Sequence, residues 1–283
     1  RFEKPVRVVY ASSSSEASFS VAQRLPVVLE TGSEATVVEQ YISDEGKQNV
    51  FTHGITELEL GENSKLYHYR LNQEQEDAIH IGGVHVSLER SAVIESFYLA
   101  LGSTINRTDV VVNYLGEGAH SEINGVYLPQ GRQLVDYHTC IEHAVPHCTS
   151  NEVFRGIVGD NAKAVFNGRI HIHKDAQKTL AQLSNKNLLT SNKAEVDTKP
   201  ELEIYADDVQ CAHGATVAQL DLTSLHYLKT RGVSEEVAHV MLSFGFINEL
   251  INTIRHEDIA YYLRPLIAKL FSRDESLLRH LDQ

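Results

Sequence analysis

The chain has no tryptophan, a single methionine (Met241) and only three cysteines among its 283 residues. Without tryptophan, a platform for stacking sugars would have to rest on the 12 tyrosines. Cys140, Cys148 and Cys211 are too few, and odd in number, for a disulfide framework; they fit a reducing compartment, the cytosol or an organelle interior. No apolar run approaches the ~18 residues of a membrane span, and no signal-peptide pattern opens the chain. Arg1-Phe2-Glu3 reads as the middle of something longer, so a trimmed fragment is expected. Nucleotide and hydrolase signatures are missing too: there is no P-loop, G-x-S-x-G elbow, H-E-x-x-H or G-x-G-x-x-G. Positive charge is scarce, with 25 basic against 38 acidic residues and a net charge of -13. That balance would repel a phosphate backbone and argues against nucleic-acid binding.

What is present, up to about residue 218, is a succession of short β-branched runs. Val6–Tyr10, Thr36–Gln40, Val84–Leu88, Asp109–Tyr114 and Ala164–Ile172 read as strands. Glu201–Tyr205 alternates, placing Leu202 and Ile204 on one face and the glutamates on the other. Asn124-Gly125, Gly159-Asp160-Asn161 and Asn167-Gly168 read as turns, and no long helical crossovers separate the runs. A sandwich, a barrel or a β-helix would satisfy this pattern. A coiled stack absorbs over 200 residues of strand most naturally, although no strict period is visible.

After residue 218 the texture becomes helical. Asp221 can cap a first helix that stops at Gly232, and Ser234 a second, with Glu235 and Glu236 in its first turn. Val237, Val240, Met241, Phe244, Ile247, Ile251 and Ile254 trace one apolar stripe. A third helix is expected over about 259–281, with Pro265 interrupting its early part. The division is thus a β core over 1–218 and a helical subdomain over 219–283.

Four groups of side chains invite chemistry. His138, Cys140, Glu142, His143, His147 and Cys148 crowd metal-ligand types into eleven residues; on a strand, His138, Cys140 and Glu142 share a face and His143 points away. No zinc-finger spacing is present. His171 and His173 alternate onto one face and could chelate, though a solvated strand face looks the same. Cys211 and His213 also share a face if extended, a thiolate and an imidazole suited to soft metal. Asp207-Asp208 could serve acid/base work, but adjacent acids more often sit in turns.

Longer motifs add a resemblance. Ile141-Glu142-His143-Ala144-Val145-Pro146-His147-Cys148-Thr149-Ser150, then Ala164–Gly168, Asn185–Leu189, Ala194–Val209 and Cys211–Val217 resemble the SufB/SufD family of iron–sulfur cluster assembly proteins, on its SufD side. SufB-like chains carry Glu-His-Glu-Ala where this one has Ala212-His213-Gly214-Ala215. The resemblance implies a mainly β fold, a right-handed parallel β-helix followed by a small helical subdomain, without the family's usual N-terminal helical region. It implies a non-enzymatic scaffold in a complex with SufB and two copies of the ATPase SufC, the helices docking SufC through a surface near Tyr227, Arg231 and Gly232. His213 would lie at the SufB interface and touch transient iron or a nascent cluster, with Cys211 a weaker candidate and no tightly bound cofactor. ATP-driven closure of SufC would open that interface. A homodimer through the SufB surface is an alternative for the isolated chain, and a cytoplasmic or plastid-like location is implied. Two competing classes are a β-helix enzyme acting on acidic polysaccharides and a metal storage or sensor protein whose ion depends on His143 and His147.

Overall fold

The computed structural model describes residues 4–46 and 49–271. Strands with odd numbers form one parallel sheet and strands with even numbers another, so the chain coils, adding one strand to each sheet per turn. The eight-stranded sheet comprises β1 (Val6–Ser12), β3 (Glu34–Ser43), β5 (Lys65–Glu74), β7 (Val93–Gly102), β9 (His120–Tyr127), β11 (Thr149–Val158), β13 (Leu180–Leu189) and β15 (Gln210–Gln219). The seven-stranded sheet comprises β2 (Phe19–Leu29), β4 (Val50–Leu60), β6 (Ile79–Leu88), β8 (Ile105–Tyr114), β10 (Leu134–His143), β12 (Lys163–Ile172) and β14 (Glu195–Ile204). This is the parallel β-helix that the resemblance implied. Of the six strand segments read from the sequence, five lie inside these elements; the sixth, Glu201–Tyr205, runs one residue past the end of β14, and its Ile204 is exposed.

The inward faces of the two sheets make the main core, from Leu58, Leu60 and Leu66 through Tyr98, Tyr114 and Tyr137 to Phe154, Phe166 and Ile170. Toward the N-terminal end the interior also carries charge. Arg70 Nη1 donates to Thr56 Oγ1 at 2.9 Å and lies 3.4 Å from Glu39 Oε2, while His68 Nε2 sits 2.7 Å from Glu39 Oε1. Glu39 and Arg70 are fully buried, and the guanidinium stacks over Tyr41.

Six successive coils pass a corner where one residue adopts a left-handed backbone, Gly32, Asn63, Ser91, Gly118, His147 and Lys178 in turn; the last corner, between β14 and β15, has none among the described residues. The amide of His147 donates to Gln177 O and that of Lys178 to Asp208 O, so the corners stack through backbone hydrogen bonds.

Two of the turns read from the sequence are not turns. Asn124-Gly125 lies within β9 and Asn167-Gly168 within β12. Packing selects glycine there. A Cβ on Gly125 would fall 2.2 Å from Phe154 Cε1, and one on Gly168 2.5 Å from Leu183 Cδ1. Gly159-Asp160-Asn161 is a turn.

Three helices follow: α1 (Leu222–Thr230), α2 (Glu235–Ile251) and α3 (Glu257–Phe271). Asp221 caps α1 by accepting from the Thr223 and Ser224 amides, and Ser234 caps α2 through the Val237 amide, as the sequence indicates. Pro265 lies inside α3, and residues 272–281 of the expected third helix fall outside the described residues. Of the apolar stripe, Val240, Phe244, Ile247, Ile251 and Ile254 are buried, whereas Met241 is exposed. Phe244, Ile247, Ile251 and Ile254 pack with Leu263 and Ile267 against the outer face of the eight-stranded sheet, on Tyr67, Tyr69, Leu71, Phe97, Leu99, Val126 and Ile157. That coverage makes β5 and β7 buried on both faces, so the in–out alternation expected of half-buried strands fails there.

Candidate functional site

The C-terminal end of the coil is formed by β14 and β15, the last strands of their sheets. Both leave an edge of backbone groups without a neighbouring strand. β14 carries Lys199, Pro200 and four acidic residues, the charge and proline by which edge strands are blunted. β15, Gln-Cys-Ala-His-Gly-Ala-Thr-Val-Ala-Gln, has neither a charged residue nor a proline.

Cys211 and His213 lie on this bare edge strand, opposite Ala181 and Leu183 of β13. Their i, i+2 spacing places them on the inward face, where no further coil stacks on them. Cys211 is half-buried against the core, and that burial pushes its thiol pKa up. His213 is exposed. Just beneath, a polar layer closes the apolar interior. Asn185 Nδ2 donates to Tyr127 Oη at 2.9 Å, Tyr127 Oη to Asn187 Oδ1 at 2.5 Å, and Thr198 Oγ1 to Asn185 Oδ1 at 2.8 Å. The Asn-Lys-Asn spacing of 185–187 signals this layer through its period of two, a reading the sequence motif alone did not prompt.

The cluster between His138 and Cys148 separates. His138, Cys140 and Glu142 point outward from β10, and His143 points inward, as a strand requires. His138 Nε2 lies 3.0 Å from Asp136 Oδ1. The Cys140 thiol donates to Glu142 Oε1 at 3.2 Å; burial and that carboxylate push its pKa up to about 11. His143 stacks on Tyr114 at 4.3 Å, and burial brings its pKa down to about 4. His147 is one of the left-handed corner residues, and Cys148 is buried in the core. His143 and His147 therefore do not converge on a common ligand position. Asp207 and Asp208 lie in the bend after β14, where Asp208 pairs with Lys178.

Tyr227 and Arg231 fall at the end of α1. The Arg231 guanidinium stacks 3.6 Å from the Tyr227 ring, Arg231 is the C-cap, and Gly232 follows with φ +84°. Leu222 and Tyr227 are exposed, and Leu225 is the buried residue of α1.

Residues 10–246 match the family described as SUF system FeS cluster assembly, SufBD core domain. The chain is 36% identical over 231 residues to the iron–sulfur cluster assembly protein SufD of Escherichia coli, covering 82% of this chain and 54% of that protein. It is 30% identical over 273 residues to an iron–sulfur cluster assembly SufBD family protein of Synechocystis, covering 94% and 60%. To a chloroplastic protein of Arabidopsis thaliana, ABCI7, it is 29% identical over 267 residues, covering 92% and 56%. The chain thus spans 54–60% of the length of these three relatives. Among the described residues no helix is long and apolar enough to cross a membrane. The coil, its bare terminal strand and the extent of the match agree: this chain belongs to the SufBD core family of the SUF iron–sulfur cluster assembly system.

Proposed function

We propose that this chain is a SufD-type, non-enzymatic scaffold subunit that pairs with SufB and docks the ATPase SufC. The observation that carries the reading is β15: an edge strand without charge or proline is an invitation to strand addition, and a partner continuing the sheet would satisfy it. In that arrangement a SufB-like coil stacks on β14 and β15, covering Cys211 and His213 from above. His213, which brings an imidazole to the seam, is the residue placed to touch iron or a nascent cluster, the cargo of the machine. Cys211 is the weaker participant, since burial disfavours its thiolate. ATP hydrolysis belongs to SufC, because this sequence has no P-loop; closure of the SufC dimer pulls on the helices and opens the seam. The exposed Tyr227–Arg231 stack and Gly232 supply the surface for SufC. The cytoplasm, or the interior of a plastid-like organelle, is the compartment this role requires. Without SufB, the same edge would support a homodimer.

The test is co-purification with SufB and SufC. Deleting residues 219–283 would be a poor probe, because it uncovers the apolar outer face of the eight-stranded sheet. Tyr227→Ala with Arg231→Ala is cleaner and should lose SufC while retaining SufB. His213→Ala should fold normally and bind both partners, yet assemble clusters at a fraction of the normal rate. Undiminished assembly by that variant would remove His213 from the mechanism, and failure of the intact chain to capture either partner would overturn the scaffold reading.

A further inference from the structure

The outer face of the seven-stranded sheet is not covered by the helices, and one cluster on it plays no part in the seam. β10 and β12 pair in parallel with Glu142 opposite His171, and His173 follows just beyond the end of β12. We propose that Glu142, His171 and His173 form a binding site for a divalent first-row transition-metal ion.

Both imidazoles turn to the same carboxylate oxygen. His171 Nδ1 lies 2.6 Å and His173 Nε2 3.1 Å from Glu142 Oε2, and the two rings are 4.3 Å apart. One ligand atom from each residue falls within 4.8 Å of the others. Ligands about 2.0–2.2 Å from a tetrahedral ion lie roughly 3.3 Å from each other, so the two nitrogens, at 2.6 and 3.1 Å, make room for an ion by drawing back from Glu142 Oε2 by a few tenths of an ångström. Two imidazole nitrogens and one carboxylate are the donor set of catalytic zinc sites and of non-haem iron(II) sites, and both leave positions open. Here the open side is solvent: His173 has 46% of its side chain exposed, against 18% for His171 and 22% for Glu142.

The surroundings fix the carboxylate in the way outer-shell groups do at metal sites. Glu142 Oε1 accepts from the Cys140 thiol at 3.2 Å and faces Arg169 Nη1 at 3.5 Å, which leaves Oε2 to the histidines. Arg169 is itself held by Glu203 through two hydrogen bonds of 3.0 and 2.8 Å. Its positive charge is thereby matched, and the Glu142 charge remains to meet a cation. Tyr205 packs edge-on against His171 at 5.5 Å, limiting the rotation of that ring.

The site does not depend on SufB or on His213, so its test is independent of the scaffold reading. Tag-free protein is titrated with cobalt(II), whose visible absorption reports its ligands, and the cobalt is then displaced with zinc(II). One equivalent should bind. Glu142→Gln and His173→Ala should each weaken binding at least roughly tenfold, while His138→Ala leaves it unchanged. His173→Ala alters a half-exposed side chain outside the strand, so the test survives if Glu142→Gln fails to fold. The proposal is overturned if the intact chain takes up no stoichiometric cobalt or zinc at micromolar concentration. It is overturned equally if His173→Ala binds cobalt as tightly as the parent, or if binding is lost instead with His138→Ala.

Discussion

Replacing Arg70 with methionine tests how the coil tolerates charge in its interior. Burial alone would raise the Glu39 carboxyl pKa, but Arg70, then His68 and Thr56, outweigh it and hold the group at about 2 instead of 4.5. That difference corresponds to about 3 kcal/mol of stability at neutral pH. Because the folded-state pKa is depressed, the contribution is present above about pH 4.5 and is lost as pH falls toward 2. Arg70→Met fills a similar volume and leaves Glu39 buried with its charge unmatched, at a cost of about 3–5 kcal/mol at pH 7. Burial then dominates, the Glu39 pKa rises, and the variant gains from taking up a proton. Its deficit relative to the parent should therefore shrink between pH 7 and pH 5. Glu39→Gln combined with Arg70→Met should recover most of the loss, since no buried charge is left unpaired. Urea unfolding of the parent, Arg70→Met, Glu39→Gln and the double variant at both pH values gives the coupling energy directly. A deficit under about 1 kcal/mol at pH 7, a deficit that does not change with pH, or a double variant no better than Arg70→Met would refute the reasoning.

Gly125→Ala should destabilise by about 1–3 kcal/mol by forcing Phe154 aside, whereas Gly214→Ala, with open space around it, should change stability by less than about 0.5 kcal/mol; thermal melts of the two variants read the contrast. Burial pushes the Glu152 carboxyl up to about 7, with Thr139 opposing the shift. A raised carboxyl pKa means that stability falls as pH climbs from about 4.5 through 7. Glu152→Gln should accordingly be the more stable protein at pH 8, by up to about 3 kcal/mol, and equal to the parent near pH 4; equal stability at pH 8 would show that the carboxylate is tolerated in the core.

The strands and the helix caps were legible because they rest on local chemistry: β-branched runs, Asp221 and Ser234. The coil repeat was not, and the corners show why. The left-handed position is filled in turn by glycine, asparagine, serine, glycine, histidine and lysine, which share a backbone conformation and no side-chain property. Coil length also drifts, from 26 residues between Ile79 and Ile105 to 32 between Lys163 and Glu195. Asn124-Gly125 and Asn167-Gly168 misled because a glycine selected for lack of volume is identical in sequence to one selected for a turn. At the C-terminal edge, the period of two was enough to place Cys211 and His213 on one face. The convergence of Glu142 with His171 could not be read this way. It depends on two residues 29 apart coming into register, and therefore on the length of one coil.

The helices that cover the eight-stranded sheet also change how the coil should come apart. A bare solenoid is a one-dimensional stack in which each coil holds only its neighbours, so it can fray from either end in small steps. Here the helical layer reaches from Val38 in β3 to Leu188 in β13 within one apolar cluster. Gln40 Nε2 donates to Tyr262 Oη at 2.7 Å, and Gln130 Nε2 donates to the Leu270 carbonyl at 3.1 Å. Laid across six successive strands, α2 and α3 act as a splint. Coils that would melt one at a time are bound to a common fate, and the cooperative unit becomes the splinted stretch. The first and last coils, which bear the open edges, remain outside it and free to exchange neighbours.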